Sequence, residues 1–193
     1  PADTTAATTT AATTTTQAGT TTTQAAAGVT CDEPVTVGVI TDLSGALAIY
    51  GAHINRGVPI GFAYATGGEV QTGLEQTYMV DDCEVEVIWG DDTSDAEASA
   101  TIAREMIEVE GVDILVGSVS SGVTAGIQQL ALENGVIHIA APAAANDLTG
   151  ATFNPNSFRT SRNNYQDAVA LCEHLPTLCS TCALIAPVSS FGW

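Results

Sequence analysis

The residues best suited to chemistry sit together at Gly117-Ser-Val-Ser-Ser-Gly122, where a short apolar run gives way to a helical pattern. A helix start leaves backbone N–H groups unpaired and carries a partial positive charge, and Ser120 and Ser121 add hydroxyl donors, so this segment reads as an anion-binding turn. The same serines would equally serve as plain helix caps. A nucleophilic role is the competing chemistry, and the spacing argues against it. A serine hydrolase presents G-x-S-x-G at a strand-to-helix elbow, whereas this segment has one residue too many between its glycines. His138 falls inside a strand pattern, while His53 and His174 fall on helical patterns with nothing to bring them to Ser120. No lysine occurs anywhere in the chain and no G-x-G-x-x-G is present, so phosphate-loop and dinucleotide fingerprints are missing. The expectation is a binding protein, not an enzyme, with no cofactor.

Two further clusters fit their chemistry less well. Cys179-Ser-Thr-Cys182 is a CxxC, but no second CxxC or HxxxH completes a metal set, which favours structural disulfides. Asp81, Asp82 and Glu84, with Asp91 and Asp92, could attract calcium, yet they lack EF-type spacing and read as solvated acidic loops.

Composition narrows the partners. Acidic residues outnumber basic ones 22 to 4 in a chain of 193 residues, for a formal charge of -18, and the four bases are Arg56, Arg104, Arg159 and Arg162. Such a surface repels phosphate backbones and anionic membranes, so nucleic acid is excluded as a partner and membrane contact is expected only through an anchor outside this segment. Residues 1–28 hold 13 Thr and 9 Ala without a Val, Leu, Ile or aromatic side chain. Residues 1–30 are therefore expected to form a disordered tether, a candidate for O-glycosylation, ahead of a folded unit over 31–193. Five cysteines point to an oxidising, extracytoplasmic compartment.

The folded part alternates strand and helix. Strands are expected at Val35–Thr41, Val85–Gly90, Val112–Gly117, Val136–Ala141 and Ala183–Ala186. Helices are expected in a stretch that follows Leu43–Gly51 and reaches Gly68, from a Ser94/Glu97 capping box to Glu110, from Ser120-Ser121 to Asn134-Gly135, and from Tyr165 to His174. The stripes Ala98, Ile102, Met106, Val109 and Val123, Ile127, Leu130, Ala131 would face inward. Near-continuous apolar strands separated by single helices imply a doubly wound parallel α/β sheet of order 2-1-3-4-5. Ligands in such sheets bind beyond the carboxyl ends of the strands. Cys31 and Cys83 precede neighbouring strands and are expected to be bonded, with Cys172 joined to Cys179 or Cys182.

The succession "VGVITDLSGALAIYG", "VEVIWGDDTSDAEASATIAREMI", "VDILVGSVSSGVTAGIQQLALENGVIHIAAPAAANDLT" and "FRTSRNNYQDAVA" resembles the amino-terminal lobe of the branched-chain amino acid binding proteins of ABC transporters, the type 1 periplasmic binding fold. The resemblance runs from about Val35 to Trp193 and implies a longer, two-lobed protein that closes around a small ligand and delivers it to an ABC transporter permease. It also implies site residues. Ser120 and Ser121 match the loop that holds the ligand carboxylate, and Tyr50 matches a tyrosine lining the cleft. Ala143, Ala144 and Ala145 match the segment where the family supplies a carbonyl and a hydroxyl for the ligand's ammonium; here the hydroxyl residue is alanine. That departure leaves the ligand open among amino acids, amides and carboxylates. Pro59 is a second departure, inside the expected first helix. A cell-surface structural or sensory protein that reuses the fold without transport is the runner-up, favoured by the tether, the acidic surface and those alanines.

Overall fold

The computed structural model describes residues 28–181 together with Ala183, Ile185 and Val188. In chain order the elements are β1 (Val35–Thr41), α1 (Ala48–Thr66), β2 (Glu75–Val80), β3 (Cys83–Asp91), α2 (Ala96–Glu108), β4 (Ile114–Gly117), α3 (Ser121–Asn134), β5 (Ile137–Ala140), a 3-10 turn (Asn146–Thr149), β6 (Ser157–Arg159) and α4 (Asn164–Leu178). They form a six-stranded sheet of order β2-β3-β1-β4-β5-β6. β1 lies parallel between β3 and β4, β5 continues the parallel set, and only β2 runs antiparallel, against β3. The first four expected strands thus take their expected order within a doubly wound α/β sheet.

Two strands depart from expectation. β2 lies in the 70–84 segment that the sequence leaves as a long connection. Its alternation is inverted in chemistry: Gln76 and Tyr78 are buried while Met79 is half exposed, so polarity does not reveal the face. Tyr78 stacks on Phe62 of α1 with ring centroids 4.7 Å apart, which fixes that face. On the other flank, β5 pairs with the three-residue β6, where the sequence placed Ala183–Ala186. Ala183 and Ile185 lie in no strand, and Leu184 and Ala186 fall outside the described residues.

Each sheet face carries its own apolar cluster. Ile54, Val58 and Phe62 of α1 cover Val37, Val39, Val85, Val87 and Trp89. Ala103 and Met106 of α2, with Val123, Ile127 and Ala131 of α3, cover Ile40 and Leu115. Each such Val, Leu or Ile contributes about 1.5–3 kcal/mol by leaving water. Of the expected α2 stripe, Met106 is buried in the core and Ile102 packs against it, while Val109 is exposed and the fully buried positions also include Ser99 and Ala103. Its cap moves too: Asp95, not Ser94, accepts from the amides of Glu97 and Ala98. α3 ends on Gly135 in the left-handed region (φ 73°), as Asn134-Gly135 predicts. α4 opens with a capping box between Asn163 and Gln166 and has no buried residue; Val169, Leu171 and Leu178 are exposed. Among the described residues no helix is long and apolar enough to cross a membrane.

The amino-terminal boundary also shifts. Thr30 forms a parallel bridge with Asp82, and the Val29 amide donates to Asp81 Oδ2 at 2.9 Å, so residues 28–30 are tied to the β2–β3 turn. The expected tether over 1–27 lies outside the described residues.

Cys31 and Cys83 are disulfide-bonded, with Cα atoms 4.9 Å apart. The second expected bridge is corrected: Cys172 is free and exposed on α4, which packs none of its residues inward, while Cys179 is disulfide-bonded. Cys182 lies outside the described residues. The Cys31–Cys83 bridge closes a sequence separation of 52 residues and pins the chain entering β1 to the start of β3. Removing it with Cys31→Ala/Cys83→Ala is expected to cost about 2–4 kcal/mol, read as a lower urea midpoint with a somewhat steeper slope because the freed unfolded chain exposes more surface, and added reductant should shift the unsubstituted protein the same way.

Candidate functional site

The loops leaving the carboxyl ends of β1, β3, β4 and β5 form one rim, because these strands are parallel neighbours. The β1 loop is built around Asp42, which is fully buried and accepts from the amides of Gly45 (2.5 Å) and Leu47 (2.7 Å) and from the Ser94 hydroxyl (2.5 Å). Burial pushes this carboxyl upward, but those donors outweigh it and hold its pKa below the usual value. Asp91 does the same work next door, accepting from the Leu43 amide at 2.8 Å and from Ser44 Oγ. Its pKa is also held down, burial being outweighed by the Ser44 hydroxyl and the loop amides.

Asp92 closes the circuit. It accepts from the Ser94 amide at 2.9 Å and from the Ser118 hydroxyl, which ties the β3 loop to the β4 loop. Here burial wins and, with Asp42 and Asp91 nearby, raises the pKa. Asp91 and Asp92 are therefore loop-building groups at the carboxyl end of β3, whereas Asp81, Asp82 and Glu84 lie at its amino end. Among the described residues no group of three or more His, Cys, Asp or Glu could hold a metal ion.

Gly51 lets α1 settle onto this loop. A Cβ there would collide with the Asp42 carbonyl oxygen. Tyr50, one residue earlier, is 51% exposed at the rim, its ring edge-on to His53 with centroids 6.3 Å apart.

The β4 loop leads into α3. Ser120 is the N-cap residue and makes no side-chain cap bond, so among the described residues no side chain is seen to take the leading amides of the helix at the rim. Thr124 holds the turn in shape: its hydroxyl accepts from the Ser118 amide at 3.0 Å and lies 2.8 Å from the Ser120 carbonyl. Ser121 is buried, and its hydroxyl accepts from the Ala145 amide at 3.2 Å. The structure therefore brings Ser121 and Ala145 together, and it gives Ser121 a partner within the protein.

Ala143, Ala144 and Ala145 are almost fully buried. Their carbonyls are engaged by the segment after β6. Arg159 donates from Nη1 to Ala143 O at 2.7 Å and from Nη2 to Ala145 O at 2.5 Å, and the Asn164 amide donates to Ala144 O at 2.8 Å. Pro142 O accepts from the Ser161 hydroxyl at 3.3 Å and from Arg162 at 3.4 Å. Arg159 Nε is buried without a partner. Burial, and the neighbouring Arg162 charge, lower the guanidinium's pKa, yet arginine stays charged at neutral pH. Sequence reasoning gave Arg159 no role; the one available signal was that two of only four bases fall within 159–162, beside the rim.

His138 lies in β5 behind the rim, fully buried, with Nε2 2.9 Å from Gly117 O and Nδ1 3.3 Å from Ser157 Oγ. The carbonyl partner requires the proton on Nε2, which leaves Nδ1 to accept from Ser157.

This chain belongs to the periplasmic binding protein family, whose model matches residues 34–193. It is 29% identical over 144 residues to Leu/Ile/Val-binding protein homolog 2 of Brucella abortus, an alignment covering 75% of this chain and 36% of that protein. The chain thus spans about a third of the length of the curated relatives it matches. Among solved structures it is similar to an ABC-type branched-chain amino acid transporter from Rhodopseudomonas palustris, with TM-score 0.62 and 32% identity, covering 70% of this chain and 34% of the other. It is also similar to a solute-binding protein of an R. palustris ABC transporter solved with benzoate, with TM-score 0.57 and 29% identity, covering 69% and 34%.

The buried imidazole yields a pH prediction. Burial lowers the His138 pKa below 6.5, so the unfolded chain takes up a proton at higher pH than the folded one. Its share of stability is intact above 6.5 and is lost as pH falls below that value towards the lowered folded pKa. Thermal melts from about pH 7.5 to about pH 5 should show that decline, and His138→Gln, though less stable throughout, should flatten it.

Proposed function

We propose that this chain is part of an extracytoplasmic solute-binding protein that captures a small carboxylate-bearing ligand for an ABC importer. The observation that carries the reading is the first turn of α3, uncapped by any side chain among the described residues, at the carboxyl rim of a periplasmic-binding sheet. A ligand carboxylate there would accept from the amides of Ser121 and Gly122 and from the Ser120 hydroxyl, with the helix dipole favouring its charge. Tyr50 would cover the ligand from α1, and the Ala143–Ala145 loop would form the floor. Ser121 supports both sides by fixing that loop to the helix start.

Membership of the family supports delivery to a membrane permease, and the Cys31–Cys83 disulfide supports an oxidising compartment. The Brucella relative is named for leucine, isoleucine and valine, and the similar R. palustris protein was solved with benzoate; a carboxylate is the chemical element these molecules share. Tethering through residues 1–27 is part of the same proposal and rests on composition alone.

The test is a substitution that removes one backbone donor. Gly122 is the second residue of α3, where a missing backbone N–H costs no intrahelical bond. Gly122→Pro in the full-length protein should weaken carboxylate binding about ten-fold, roughly 1.4 kcal/mol, by isothermal titration, while Gly122→Ala changes it little. Equal affinity for all three proteins would show that the ligand does not use these amides.

A further inference from the structure

We propose that the cleft takes up its carboxylate ligand together with a proton from the solvent, and that the proton settles on Asp92. The inference rests on the solute-binding reading and adds a proton linkage to that same site. Three carboxylates, those of Asp42, Asp91 and Asp92, build the rim loops, and every partner they have among the described residues is an amide or a hydroxyl. No cation is bonded to any of them. Asp92 is the member tied to the helix start: it accepts from the Ser118 hydroxyl, and Ser118 stands two residues before the N-cap Ser120. Asp92 and Ser118 are both fully buried, so no group from elsewhere in the protein can touch the pair.

A carboxylate seated on the Ser121 and Gly122 amides adds a fourth negative charge to this set. Like charges disfavour each other's ionised forms, so the group that is easiest to protonate gains a proton as the ligand arrives. Burial pushes Asp42 and Asp91 upward, but each has three donors that outweigh it, and both stay ionised. Asp92 has two donors, and burial, with Asp42 and Asp91 adding to it, raises its pKa. The other charges on the surrounding elements leave that order unchanged. The start of α2 brings Asp95, whose carboxylate caps that helix. α3 carries no charged residue before Glu133, and α1 carries only His53 and Arg56, both exposed. β5 brings His138, bonded to Gly117 O and neutral above its lowered pKa.

The proton has a defined seat. The Ser94 amide can only donate and keeps Oδ1, whereas Ser118 Oγ can turn and accept, so Oδ2 takes the proton and Asp92 donates where it accepted before. The contact between the β3 and β4 loops is kept and only its charge is removed. Linkage is reciprocal: a ligand that raises proton affinity is itself bound more tightly by the protonated protein. Affinity for a carboxylate therefore rises as pH falls through the Asp92 pKa.

The experiment is isothermal titration of benzoate and of L-leucine into the full-length protein at about pH 5, about pH 6 and about pH 7, in pairs of carboxylate-free buffers with different heats of ionisation. The expected result is proton uptake on binding and an affinity about ten-fold higher at the acid end, the equivalent of one pKa unit. Asp92→Asn keeps both hydrogen bonds, with Nδ2 donating to Ser118, and lacks the charge. It should bind without proton uptake and, at neutral pH, more tightly than the unsubstituted protein, whereas altering a residue that only shaped the loop would weaken binding. Binding without proton uptake by the unsubstituted protein, or uptake that survives in Asp92→Asn, overturns the inference and leaves the solute-binding reading standing. If Asp92→Asn does not fold, His138→Gln decides: uptake retained there supports Asp92 as the acceptor, and uptake lost overturns it. No heat from either compound at any pH overturns both readings.

Discussion

A run of buried hydrogen bonds links the loops of three neighbouring strands to the start of α3, and the geometry of the rim depends on it. Asp42 accepts from the Ser94 hydroxyl, the Ser94 amide donates to Asp92, Asp92 accepts from Ser118, and the Ser118 amide donates to Thr124 of α3. These five residues come from the ends of three adjacent parallel strands and the helix that follows the third. Asp42, Asp92, Ser118 and Thr124 are all fully buried, so none can fall back on water. Breaking one link would leave a buried donor or acceptor unpaired at a cost of about 1–3 kcal/mol. The run therefore fixes where the first turn of α3 stands relative to the β1 loop and to Tyr50.

The opposite side of the cleft is organised by a cation. Arg159 lies at the end of β6 and reaches back to hold the loop after β5, while Ser121 holds the same loop from α3. The acidic groups of the rim are consumed in shaping loops, and its basic groups lie behind a floor of alanines.

Much of this was legible in the sequence, and what was not has a physical explanation. Apolar runs located β1, β3, β4 and β5 because strands buried on both faces must be continuously apolar. β2 escaped because its buried face carries Gln76 beside Tyr78, and β6 because three residues make no pattern. The helix-start serines were legible as the start of α3, but not which hydroxyl would be spent on a neighbouring loop. Ser94 looked like a cap and is instead the bridge between Asp42 and Asp92, since Asp95 stands one residue closer to the helix and takes the capping role. Arg159 could not be assigned because its partners are backbone carbonyls, which no sequence pattern displays.

The most direct test of the account is a crystal structure of the full-length protein with the carboxylate it binds best. The account predicts the carboxylate oxygens within hydrogen-bond distance of the Ser121 and Gly122 amides, Tyr50 against the ligand body, and the Arg159 fork still on Ala143 and Ala145. A ligand whose carboxylate lies away from the first turn of α3 would contradict it.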